Sequence, residues 1–300
     1  MPSFVLTLLL FGLMAPALAA PAQVRLLQAP AWRIQQGTRT ALLPGEALTA
    51  GDRIATGAGA RVVLALSEGS IVKLGEHAEL TLSELQAPAT DAGVFKGFLD
   101  VVRGAFRFTT TVVGRQREIR ARVGSATIGI RGTDVWGKHE AARDFVVLLE
   151  GHIDIEHNGQ KVTMHEPQSL FMAPAGQAAL PLAPVNADDL GRWAQETEPQ
   201  AGGGQRDEQG VYQLMLPLLS DAAEARAIES RLVAAGHAVA VTEVVLGGGH
   251  AWRLSLAGYT TEVEAQAGAR AVAKLYAGGR PWVSRQSAAS VPVGATDQTP

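Results

Sequence analysis

Four histidines, His139, His152, His157 and His165, crowd into a single stretch of the chain, and imidazole is the side chain most often recruited to hold a transition metal. A metal site in a β-domain needs a closely paired set and a distant ligand that converge on one point. These spacings do not supply that, so the four read as surface or hairpin histidines with no metal bound. The carboxylates Asp52, Glu68 and Asp134 are scattered, with no partner at a spacing that suggests acid and base work. Gly124-Ser125-Ala126 lacks the Gly-x-Ser-x-Gly frame of a nucleophile elbow. No phosphate-binding loop or dinucleotide fingerprint occurs either. The residues point away from an enzyme, with no catalytic residue and no cofactor.

One constellation remains in this half, Arg131-Gly132-Thr133-Asp134 within "IGIRGTDVWGK". Gly132 permits a positive φ, and Thr133 or Asp134 can bond nearby backbone. Arg131 then has five donors for loop carbonyls and a carboxylate, so the expected role is a structural fastener between the flanking strands. The functional alternative, a ligand clamp, requires Arg131 in a pocket.

A second group lies near the far end. On a strand through "YQLML", Leu214 and Leu216 point one way and Gln213 and Met215 the other; on "WRLSL", Arg253 and Ser255 share the parity of that second pair. With Trp282 beside them, an amide, a guanidinium, a hydroxyl and an indole suit a neutral sugar, whose hydroxyls need hydrogen bonds and whose ring face stacks on aromatics. A solvated sheet face is the other reading of the same spacing.

The elements that must position these groups fall into two domains, as 300 residues suggest. From 24 to 173 the pattern has period two and is broken by glycine or proline every eight to twelve residues, which predicts an all-β domain, a sandwich or a β-roll. Asn158-Gly159 predicts a two-residue hairpin. From 174 to 210 the texture turns rich in Ala, Pro, Gly and Gln, and predicts a flexible linker. Within it, Asn186 is placed to cap one short helix that docks Leu190 and Trp193 on a neighbour.

From 211 to 284 the order is β-α-β-β-α-β, the ferredoxin-like split βαβ plan, with an internal repeat at an offset of 40 residues that lays Tyr212 over Trp252 and Leu214 over Leu254. Asp221-x-x-Glu224 and Thr261-x-x-Glu264 have capping-box spacing, and Gly236 and Gly278 are expected to end the two helices. The residues from 285 to 300 are expected to be a disordered tail.

A net charge of −3 gives no basic field for nucleic acid. The apolar run from Phe4 to Met14, then Pro16 and Ala17-Leu18-Ala19, reads as a signal peptide over 1–19, with an uncleaved anchor as the alternative because no Lys or Arg precedes the run. The mature chain is then a periplasmic protein without a membrane span, and with no cysteine it relies on packing alone.

Two resemblances are carried by these residues. The segment from Val211 to Val283 resembles a SPOR domain (sporulation-related repeat), most clearly through Trp252, Arg253, Leu254, Leu256 and Tyr259; Met215, Pro217, Leu218 and Leu219 depart from the family's usual first strand. That resemblance implies binding of peptidoglycan glycan strands stripped of their stem peptides on the open sheet face, at division sites where such glycan accumulates. The segment from Leu43 to Ala173 resembles the FecR-like domain family, with Arg131-Gly132-Thr133 as its signature. The function expected is a non-enzymatic cell-envelope protein whose SPOR-like module localises the FecR-like β-domain. The alternative is a periplasmic protein-interaction scaffold or regulatory protein that binds an envelope protein and no glycan.

Overall fold

The computed structural model describes residues 20–88, 93–110, 116–276 and 278–286. The expected signal segment lies outside the described residues, as does the tail beyond Gln286. Arg285 does not belong to a tail: it ends the last strand, and the N–H of Gln286 donates to the carbonyl of Val211 at 2.7 Å.

The N-terminal domain is two β-sheets that share one strand. In the first sheet β1 (Ala22–Gln28), with the short β4 (Ala47–Leu48) at its end, precedes β6 (Arg61–Leu66) and β7 (Ser70–Leu74). The C-terminal half of β9 (Phe95–Thr110) follows, then β12 (Asp134–Glu140), β13 (Arg143–Glu150), β16 (Ser169–Pro174) and β17 (Ala183–Pro184). The second sheet runs β3 (Thr38–Ala41), β2 (Ala31–Gln35), β5 (Arg53–Thr56), β8 (Glu79–Gln86) and the N-terminal half of β9. It continues through β10 (Arg117–Val123), β11 (Ala126–Ile130), β14 (Ile153–His157) and β15 (Gln160–Met164).

Alternation builds this sandwich. Leu80, Leu82, Leu99 and Ile128 of one sheet meet Leu64, Phe106, Phe108 and Val146 of the other in a core from which water is excluded. At Gly104 β9 bends from one sheet to the other. Its φ is +79°, and a Cβ there would lie 2.5 Å from the Cα of Ala78, so only glycine fits. The chain then returns to the second sheet, which makes β10 parallel to β9. The Asn158-Gly159 hairpin forms with φ of 50° and 76°, the two positive values its turn type needs.

The C-terminal domain is a four-stranded antiparallel sheet in the order β20 (Ala240–Leu246), β21 (Gly249–Tyr259), β19 (Tyr212–Met215) and β22 (Trp282–Arg285). Helices α2 (Ala222–Ala234) and α3 (Glu262–Ala273) cover one face, and Ala225, Ile228, Leu232, Ala265 and Val272 meet Leu214, Leu216, Leu254 and Leu256. Gly236 follows α2 with a φ of +81°, as expected. Gly278 does not end α3, which stops at Ala273 with Lys274 as its cap.

The segment from 174 to 210 is not a flexible linker. It forms α1 (Ala187–Thr197), capped by Asn186, whose side chain accepts from the N–H of Asp189 at 2.8 Å. Trp193 stacks on Trp136 of β12 and Leu190 packs in the same cluster. Farther on, the two-residue strand β18 (Gln205–Arg206) pairs with β1 through Leu27 and Gln28, and with β21 through Tyr259. The two domains are therefore hydrogen-bonded to a common strand. Composition predicted flexibility because the segment has little apolar surface of its own; it borrows burial from both neighbours instead.

Candidate functional site

On the C-terminal sheet, parity and register bring the sequence-selected residues onto the face away from the helices. Met215 lies directly opposite Ser255 on one side and Trp282 on the other. Gln213 is paired with Ser284 and Ala257, one pleat along, and Arg253 with Thr242. Their strand neighbours Leu214, Leu254 and Leu256 are buried under the helices, which fixes the direction of the alternate residues. Trp282 stands on this face with 44% of its surface exposed.

Gln213, Met215, Arg253 and Ser255 are half-buried. Arg253 Nε is buried without a hydrogen-bond partner, and among the described residues no carboxylate pairs with the guanidinium. The row Ser255, Met215, Trp282 thus offers a hydroxyl, a polarizable thioether and an indole in a line, with an amide and a cation beside it. Such a surface can stack a sugar ring and bond its hydroxyls.

In the β-domain, the turn at Arg131-Gly132-Thr133-Asp134 is fastened by other residues than expected. Arg131 is exposed and makes no hydrogen bond or ion pair with any described residue. Asp134 is held by Arg107 of β9, whose Nε and Nη2 donate to its two oxygens at 2.9 and 2.6 Å. Thr133 Oγ1 donates to the carbonyl of His152 at 2.9 Å, and Gly132 has a φ of +66°. The Asp134 bonds raise the Arg107 guanidinium above its usual pKa against the opposing cost of burial.

Residues 52–154 match the family described as FecR protein, and residues 208–285 match the SPOR domain. The chain carries a FecR domain followed by a SPOR domain. Two crystal structures of a candidate anti-sigma factor from Parabacteroides distasonis are similar to it at 12% identity. Each alignment covers 78% of this chain and 99% of that one, with TM-scores of 0.40 and 0.39. No curated protein matches. The SPOR domain makes this a peptidoglycan-binding protein of the cell envelope. Both families are non-catalytic, and among the described residues no helix is long and apolar enough to cross a membrane.

Within the FecR domain the histidines do not converge on a metal among the described residues. His139 Nδ1 lies 2.5 Å from Asp144, and that carboxylate also accepts from the N–H and Oγ of Ser125 at 2.9 and 2.6 Å. The serine bonds the carboxylate and not the imidazole, so the three groups lack the serine-to-histidine contact of a hydrolytic triad. His157 is buried beside Phe171 in an edge contact, His152 is exposed, and His165 lies beside Glu166 in solvent.

Sequence reasoning missed the seam between the FecR and SPOR domains. Glu264 does not complete a capping box with Thr261; its carboxylate accepts from the N–H groups of Gly202, Gly204 and Gln205 at 2.7, 2.6 and 2.9 Å. Arg206 is buried with no carboxylate partner among the described residues: it donates to the carbonyls of Ala257 and Ala238 and lies over the Tyr259 ring at 5.5 Å. Burial lowers its pKa, and burial with the nearby Arg206 charge brings His237 down to about 4. On the FecR side, Trp32 Nε1 donates to the carbonyl of Ala234 at 3.3 Å, and a Cβ on Gly236 would lie 2.7 Å from Pro30. A signal was present. "RVVLAL" and "DFVVLLE" are continuous apolar runs, the pattern of strands covered on both faces, which α1 and the residues after it supply.

Proposed function

We propose that this is a non-enzymatic periplasmic protein whose SPOR domain binds glycan strands lacking stem peptides on its open sheet face, and so places the FecR domain on the sacculus. The observation that carries the reading is the cross-strand row Ser255, Met215, Trp282, flanked by Gln213 and Arg253. A strand without stem peptides exposes its ring faces and hydroxyls, the groups that an indole, an amide and a guanidinium recognise. Because β18 joins both domains, the FecR domain is held at a set orientation rather than on a tether.

The test is a pull-down of the full chain with sacculi treated or untreated with an amidase. Enrichment on treated sacculi is expected; equal recovery on both would remove the preference for stripped glycan. The full chain is required because a fragment beginning at Gly210 loses Arg206 and the backbone that Glu264 binds.

A further inference from the structure

A concave feature of the SPOR domain borders the open sheet face and shares Trp282 with it. It is a cleft of about 620 Å³ between α3 and the outer edge of β22, with Ala269, Pro281 and Val283 as an apolar floor and Arg270 and Arg280 on its rim. This volume is in the range of built binding sites. β22 is an edge strand: its inner side pairs with β19, and among the described residues no strand lies on its outer side.

The backbone of β22 presents a definite pattern. The Gln286 N–H points inward to Val211, so by the alternation of an antiparallel ladder Ser284 and Trp282 also face β19. Val283 and Arg285 then direct their N–H and C=O groups outward, where a further strand could pair with them. Neither Arg270 nor Arg280 has an ion-pair partner among the described residues, while Glu262 on the same rim accepts from Gln266 at 3.2 Å.

Charge decides which strand fits. In self-pairing, a second copy would bring its own Arg280 and Arg285 to an edge that already carries both, and like charges across a strand pair repel. A basic segment is refused for the same reason. An acidic one would neutralise the unpaired guanidinium groups as it formed main-chain bonds.

We propose that the edge of β22 is a docking site for an extended acidic peptide segment of another envelope protein, which adds as a further strand beside Val283 and Arg285 and sets carboxylates against Arg270 and Arg280. The cleft shares Trp282 with the glycan face, while Arg270, Arg280 and the outward backbone groups of Val283 and Arg285 lie apart from Gln213, Met215, Arg253 and Ser255. It gives the SPOR domain a protein partner as well as a polysaccharide.

The experiment titrates the full chain with a synthetic peptide of alternating valine and glutamate, and with its valine and lysine counterpart, following amide hydrogen exchange and binding heat. The glutamate peptide should bind and slow exchange at Val283 and Arg285, with the lysine peptide weaker by about tenfold or more. Joint Arg270→Glu and Arg280→Glu substitution should abolish that preference, while Arg270→Lys with Arg280→Lys keeps it and controls for folding. Equal binding of the two peptides, or absence of protection at both amides, overturns the proposal. So does protection of these amides in the free chain, which would mean that a second copy or another part of the chain holds the edge, or their protection by stripped glycan instead. Recovery on amidase-treated sacculi should be unchanged in the double variants.

Discussion

The indole of Trp193 lies parallel to that of Trp136, with ring centroids 5.4 Å apart and planes 5° apart. The pair anchors α1 to the outer face of the FecR domain, and Phe145 closes the cluster at 5.8 Å from Trp193. Around it Glu198 receives Lys73 and Arg107, at 2.6 and 2.9 Å, and Glu196 receives Lys138 at 3.0 Å. What composition suggests is a tether is a strap across the sheet.

Trp193→Ala should release that strap. The lost stacking and burial amount to about 2 kcal/mol, below the cost at a fully buried tryptophan because this one is partly exposed. Limited proteolysis should show new cleavage between 175 and 200 in the folded variant. An unchanged digestion pattern would mean that the charged contacts hold the segment without the indole.

Glu264→Gln tests the seam. An amide cannot accept at both ends, so its NH2 group would confront a backbone donor, and a loss of about 2 kcal/mol is expected. Calorimetry should show the SPOR domain melting ahead of the FecR domain in the variant. If both domains still melt together at the original temperature, the seam does not depend on this carboxylate.

His237 makes stability depend on pH. Its folded pKa of about 4 lies below the ordinary 6.5, so the unfolded chain binds the extra proton first as pH falls. Its contribution is intact above about 6.5 and is lost progressively toward 4, at up to about 1.4 kcal/mol per pH unit. Urea denaturation at pH 7 and pH 5 should show a smaller difference for His237→Gln than for the natural chain. Parallel behaviour of the two would show that His237 titrates alike folded and unfolded.

Arg131→Ala should change stability by less than about 0.5 kcal/mol, as expected of an exposed side chain without a partner. Arg107→Ala should cost about 2 kcal/mol or more, because it leaves Asp134 and Glu198 without their shared cation. Equilibrium unfolding of the two variants compares them directly. Equal losses would return the fastening role to Arg131.

On the glycan face, Arg253→Ala should weaken recovery on amidase-treated sacculi, and Met215→Gln should strengthen it by adding an amide between Ser255 and Trp282. Binding indifferent to both substitutions would favour the scaffold reading over glycan recognition. Circular dichroism of each variant separates a loss of contact from a loss of fold.

Much of this architecture is legible in the sequence. Period-two runs exposed the FecR sandwich because each strand buries one side, and the 40-residue repeat exposed the two halves of the SPOR domain. Parity placed Gln213, Met215, Arg253 and Ser255 on one face, since Leu214 and Leu254 had to point inward. Trp282 needed the register of β22 against β19, a pairing between strands far apart in the chain. Arg131 was given a role that Arg107 performs, because both are plausible donors in sequence and only the pairing of β9 with β12 places Arg107 beside Asp134.

The chain alone fixes the main strands and helices of the two domains, their order and the side that most of their residues face, since these follow from the local rhythm of apolar and polar groups along a chain of fixed geometry. The tertiary structure alone decided what joins the domains, Glu264 on three backbone amides and Arg206 buried over Tyr259, and which indole receives Trp193. Those contacts satisfy polar groups and cover apolar faces with partners far away in the chain. Local periodicity shows that a group needs a partner, but the partner's identity is set by the packing of the whole.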